Sequence, residues 1–124
     1  MKKKILLVED SPILREGINN MLAAENISID DFAVSQQEAI SLLDKKQYDM
    51  MIVDIELTQG NGFEVVKHAL SNDYPYKRPT FIMLTNNAYK HYRDFAKKLG
   101  IDYFYDKSME FDLAIEKIEL LALQ

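Results

Sequence analysis

The sequence contains no cysteine, which excludes a disulfide framework and any metal site built on thiolates. It has no apolar run long enough to span a bilayer. The opening "MKKKILLVED" is basic and then apolar, as a secretory signal would be. Its apolar run "ILLV" is too short for a signal core, however, and Glu9 and Asp10 end it at once. There is no internal repeat, low-complexity tract or linker. Basic residues are also in short supply, 15 Lys and Arg against 20 Asp and Glu. The resulting net charge of -5 speaks against generic nucleic-acid binding across the surface. The two histidines, His68 and His91, have no partner at metal-ligand spacing. These absences together predict a soluble, cytoplasmic protein with no direct contact to nucleic acid or membrane.

What remains is ordinary globular material. At 124 residues the chain is one domain by length, large enough to bury about two thirds of its unfolded surface. Short apolar runs alternate with longer amphipathic segments. "KILLV" (Lys4 to Val8) reads as a buried strand, and Ser11-Pro12 then supplies an N-cap and a proline at the first helical position. "ISIDDFAV" (Ile27 to Val34) reads as a second, more polar strand nearer an edge. Ser35 and Glu38 have capping-box spacing. "MMIV" (Met50 to Val53) is the third strand, followed by a turn containing Gly60 and Gly62 and a third helix. "TFIML" (Thr80 to Leu84) is the fourth strand. Asn87 is positioned to cap a helix from Ala88 to Leu99, which Gly100 ends. "DYFY" (Asp102 to Tyr105) is the fifth strand, and the last helix is expected from Ser108, its cap, to the end. Five βα units with strands apolar on both faces predict an α/β fold, a doubly wound parallel sheet covered on both sides.

In such a sheet, ligands bind beyond the carboxyl ends of the strands. Strand one ends in Glu9-Asp10, strand three in Asp54, strand four in Thr85, and strand five is followed by Asp106-Lys107. Taken singly, Asp10 fits a turn into a helix, Thr85 a strand residue and Lys107 a solvated lysine, while Asp54 fits a turn or a site equally well. Jointly the bland reading weakens, because independent turns need not gather acids on inner strands with a cation beside them. Clustered carboxylates stay ionised together only when a cation shares the site. Oxygen ligands suit Mg²⁺, a carboxylate can attack phosphorus, and a lysine can offset charge on phosphoryl oxygens. Asp54 is therefore the expected phosphate acceptor.

The carriers "VED" (Val8 to Asp10), "MIVDIELTQGNGFEVV" (Met51 to Val66), "LT" (Leu84-Thr85) and "YFYDKS" (Tyr103 to Ser108) resemble, in order, those of a response regulator receiver domain. The resemblance covers essentially the whole chain, a single receiver over residues 1–124. It implies a flavodoxin-like (β/α)5 fold with strand order 2-1-3-4-5. It also implies Asp54 as the phosphorylation site, Asp10 and Asp54 as direct Mg²⁺ ligands, and Glu9 acting through water. The backbone carbonyl of Glu56 matches the third protein ligand, Lys107 the lysine that pairs with the phosphoryl group, and Thr85 the switch hydroxyl. Phe104 matches the aromatic whose rotamer reports the state. The implied donor is a sensor histidine kinase or a histidine phosphotransfer protein. The implied output is a protein target bound at the face made by the fourth helix, fifth strand and fifth helix. On this reading the chain is a stand-alone signalling switch and not an enzyme.

The chain departs from the common pattern in places. Ser108 stands where many receivers have proline, so that bond is expected to be trans, and Thr58 stands where many have proline after the acceptor. Lys90, Arg93, Lys97 and Lys98 on one helix would oppose Glu110, Asp112, Glu116 and Glu119 on another in a two-fold homodimer. Two rivals stand beside the main reading. One is a pseudo-receiver, a binding module that does not use phosphate. The other, ranked lower, is an aspartate-nucleophile phosphatase. "DIELT" (Asp54 to Thr58) resembles the motif of haloacid dehalogenase-like enzymes, with Glu56 in the place of their second acid.

Overall fold

A computed structural model describes residues 2–124. The elements run β1 (Ile5–Val8), α1 (Pro12–Ala23), β2 (Asp31–Ala33), α2 (Gln36–Lys45), β3 (Met50–Val53), α3 (Gly62–Leu70), β4 (Thr80–Thr85), α4 (Lys90–Leu99), β5 (Tyr103–Asp106) and α5 (Phe111–Ala122). The strands form one sheet in the order β2-β1-β3-β4-β5, parallel throughout. Every residue of β1 and β3 is buried, because helices cover both faces of the inner strands.

The period of two along each strand divides the core. Leu6, Val8, Met51, Val53, Phe81 and Met83 face Ala39 and Leu43 of α2, Val65, Val66 and Ala69 of α3, and Ala96 of α4. Ile5, Leu7, Met50, Ile52, Ile82 and Leu84 face Ile18 and Leu22 of α1 and Ala114, Ile115 and Ile118 of α5. Each large aliphatic side chain buried this way contributes about 1.5–3 kcal/mol. A one-residue slip of any inner strand would exchange the two sets, so the register is firmly held.

Helix starts follow local chemistry. Ser11 Oγ accepts from the Leu14 amide at 3.3 Å with Pro12 at the first helical position. Ser35 Oγ accepts from Glu38 N at 3.1 Å, and Glu38 Oε1 reaches back to Val34 N at 3.3 Å. Gly100 ends α4 with φ 91°, a left-handed conformation that costs glycine little.

Four sequence expectations are corrected. The second strand is Asp31–Ala33, not Ile27 to Val34. Ile27 and Ile29 are buried, but Asp30 Oδ2 takes the Ile5 amide at 2.7 Å and interrupts the ladder before Asp31. Helix α4 begins at Lys90 with no side-chain cap, since Asn87 instead donates its own amide to Thr85 Oγ1 at 3.1 Å. Helix α5 begins at Phe111 and Ser108 does not cap it. The Ser108 amide is drawn to Asp106 Oδ1 at 2.8 Å in a turn that delays the helix. The fifth strand accordingly runs one residue later than expected, through Asp106. The peptide bond before Ser108 is trans, as expected.

Candidate functional site

The register of the inner strands builds the site. Val8 lies beside Val53, and Val53 beside Met83. The parallel ladder continues one bond past each strand. Glu9 N donates to Ala33 O at 2.9 Å, Asp54 N to Val8 O at 3.1 Å, and Lys107 N to Thr85 O at 2.9 Å. Glu9, Asp54 and Lys107 thus leave the same rim of the sheet at backbone positions held by hydrogen bonds. Their side chains meet there. Lys107 Nζ lies 2.6 Å from Glu9 Oε1 and 2.8 Å from Asp54 Oδ2. All three side chains are under a tenth exposed, so the ion pairs are desolvated and weakly screened.

The remaining carboxylate oxygens are also occupied. Asp54 Oδ1 accepts from Ile55 N at 2.7 Å, and Glu9 Oε2 from Ser11 N at 3.1 Å. Arg15 Nη1 donates to the Glu9 carbonyl at 2.9 Å and ties α1 to this strand end. Asp10 stands at the rim, half-buried, where its Oδ2 accepts from Thr58 N at 2.6 Å and from the Thr58 hydroxyl. Glu9, Asp10 and Asp54 each offer a carboxylate oxygen, and the three oxygens lie within 4.8 Å of one another. Three hard oxygen donors converge beside a single lysine, a set that fits a hard divalent cation such as Mg²⁺.

Electrostatics follow from burial and partners. Burial pushes the Glu9 carboxyl up, and the Lys107 ammonium offsets this only in part. Burial works against the Lys107 charge as well, but Asp54 and then Glu9 outweigh it and hold the amine above its ordinary value. Asp10 is held below the usual carboxylate range: burial opposes ionisation, but the Thr58 hydroxyl and amide prevail.

Thr85 ends β4 fully buried, its carbonyl taken by Lys107 and its Oγ1 by the Asn87 amide. Phe104 sits beside Met83 in the sheet, part-buried, with the Arg93 guanidinium 4.9 Å from its ring centre. Arg93 in turn pairs with Glu110 at 2.9 Å. Glu56 is exposed and forms an isolated bridge with Asn61. Its side chain is not part of the acid cluster.

Two contributors carried no signal of their own in the sequence. Thr58 reaches Asp10 across 48 positions. Gly62, buried at the start of α3, lies so close to Asp54 that an added Cβ would fall 1.9 Å from the Asp54 carbonyl oxygen. His68 lies on α3. It is half-buried and pairs with Asp44 at 2.7 Å, joining α3 to α2.

Residues 5–119 match the family model described as the response regulator receiver domain. The chain belongs to that family. Among relatives, this receiver is 24% identical over 122 residues to the transcriptional regulatory protein DegU of Brevibacillus brevis, covering 98% of this chain and 50% of that protein. It is 33% identical over 85 residues to a protein-glutamate methylesterase/protein-glutamine glutaminase of Trichodesmium erythraeum, covering 68% of this chain and 23% of that one. The receiver therefore spans half or less of the length of these two relatives. A receiver domain of a sensor histidine kinase from Pseudomonas aeruginosa superimposes with a TM-score of 0.76 at 22% identity, covering 94% of this chain and 97% of that one. That structure is described with a magnesium ion coordinated in the active site cleft. At this identity the likeness shows the shared fold.

Proposed function

We propose that this receiver accepts a phosphoryl group on Asp54 from a phosphohistidine of a sensor kinase or phosphotransfer protein. A carboxylate oxygen of Asp54 attacks phosphorus, the bond from phosphorus to the imidazole nitrogen breaks, and the imidazole leaves as the neutral ring after taking up a proton. The observation that carries this reading is the Lys107 ammonium, 2.6 Å from Glu9 and 2.8 Å from Asp54, on a rim shared with Asp10.

Asp10 and Asp54 are the residues to hold Mg²⁺ directly, with the Glu56 carbonyl as third protein ligand and Glu9 acting through water. The ion, when bound, supplies positive charge to the phosphoryl oxygens. Lys107 is already aimed at Asp54, so it meets the incoming charge without a search. The Thr85 hydroxyl accepts from Asn87 and keeps its own proton to donate to a phosphoryl oxygen. Movement of Thr85 then favours one of two states of the face made by α4, β5 and α5, with Phe104 between them. A downstream protein reads that face. A homodimer through it would set the basic side of α4 against the acidic side of α5.

The exposure of Glu56 speaks against the phosphatase alternative, which needs it beside Asp54. The test is labelling with a small phosphodonor in Mg²⁺. The parent chain takes up a hydroxylamine-sensitive label and Asp54→Asn takes up none. A hydroxylamine-sensitive label that persists in the variant would overturn the assignment.

A further inference from the structure

Residues 58–61, between β3 and α3, are tied to other parts of the fold at two places. On the far side, Gln36 at the start of α2 donates its amide to Gln59 O at 3.0 Å, and its Oε1 accepts from Asn61 N at 3.0 Å. Gly60, at φ 100°, lies so close that an added Cβ would sit 2.3 Å from Gln36 Cβ. On the near side, the Thr58 amide and hydroxyl both donate to one oxygen of Asp10. The far anchor is a packed contact between two elements. The near one is two hydrogen bonds at an exposed residue, aimed at a carboxylate of the acid cluster.

We propose that Thr58 is a positioning residue that occupies Asp10 in the ion-free protein and competes with a divalent cation for it. This rests on the proposed role of Asp10 as a ligand. An oxygen that already accepts two hydrogen bonds has its lone pairs directed at their donors. A cation approaching the cluster meets an Asp10 turned toward Thr58, and drawing that carboxylate inward breaks or lengthens both bonds. The ion-free state is stabilised by them, so the apparent affinity for the cation falls. The same exchange releases Thr58 from Asp10 while Gln36 keeps the far side of the segment in place. Cation binding is thereby read out as movement of the segment beside Asp54.

The test titrates MgCl₂ into the full chain by calorimetry, with the Thr58 amide followed by NMR. Thr58→Val removes the hydroxyl and keeps the amide, and is expected to bind Mg²⁺ about fivefold more tightly than the parent, as loss of one competing hydrogen bond implies. Thr58→Ser keeps the hydroxyl and is expected to bind as the parent does. In the parent the Thr58 amide resonance should move upfield as Mg²⁺ saturates, reporting the lost bond to Asp10. Thermal melts without Mg²⁺ show whether each variant is folded. Parent-like or weaker affinity in Thr58→Val, or a Thr58 amide indifferent to Mg²⁺, overturns this inference alone. A parent chain that binds no Mg²⁺ overturns the functional reading of the site and this inference with it.

Discussion

Gly62→Ala tests how closely the fold and the site are joined. Gly62 opens α3, and its missing side chain leaves room for the backbone of Asp54. An added Cβ would lie 1.9 Å from the Asp54 carbonyl oxygen, 2.8 Å from its carbonyl carbon and 3.0 Å from Val53 Cγ2. Ordinary contact requires backbone to part by about 1.5 Å, since non-bonded atoms rest near 3.5 Å. Two of the three obstacles are main chain and cannot rotate away. The same movement stretches the 2.7 Å bond from Gly62 N to Ile55 O. Overpacking of this kind costs about 1–3 kcal/mol, and the lost bond about 1 kcal/mol more. Replacing glycine in a helix returns about 0.5–1 kcal/mol. The net loss is about 1–3.5 kcal/mol, and at the middle of that range a chain of this length loses about 10 °C in melting temperature. Circular dichroism melts of parent and variant measure it. A variant melting within about 2 °C of the parent, well inside that shift, would refute the steric reasoning.

Lys107→Met leaves Glu9 and Asp54 buried without their ammonium and is expected to cost about 3 kcal/mol in urea unfolding at neutral pH without divalent ions. The loss should shrink as pH falls and Glu9, already raised by burial, takes up a proton. Added Mg²⁺ should stabilise this variant more than the parent. Equal stability of the two chains would refute it. At the opposite end of the sheet, Asp31 is held below its ordinary value of 3.8: burial opposes ionisation, but the Tyr48 hydroxyl at 2.6 Å and the Lys46 ammonium at 3.0 Å prevail. A lowered carboxylate value means a contribution to stability that is complete above 3.8 and is lost as pH falls through the folded-state value. Asp31→Asn should therefore unfold in less urea than the parent at pH 6, with the gap closing in acid. A gap independent of pH would count against the ionised pair.

The fold was legible because the inner strands are apolar at every position, which only a sheet covered on both faces requires. The acids, the hydroxyl and the lysine were legible as residues that break those runs at the same end. What the sequence hid were contacts decided by competition among nearby polar groups. Asn87 and Ser108 both have the chemistry of a helix cap. Each is instead engaged by the strand end it follows, Asn87 by Thr85 and Ser108 by Asp106. Asp30 in the same way satisfies Ile5 with its side chain and shortens β2. The hold of Thr58 on Asp10 depends on tertiary proximity, for which spacing along the chain gives no signal.

Asp54 and the lysine that steadies it are 53 positions apart, with α3, β4, α4 and β5 in between. During translation Asp54 leaves the ribosome long before Lys107 does. A nascent or truncated chain that stops short of β5 has Asp54 without its counter-charge. Under the proposed function, competence to accept a phosphoryl group is thus conferred last, when β5 and the lysine that follows it dock.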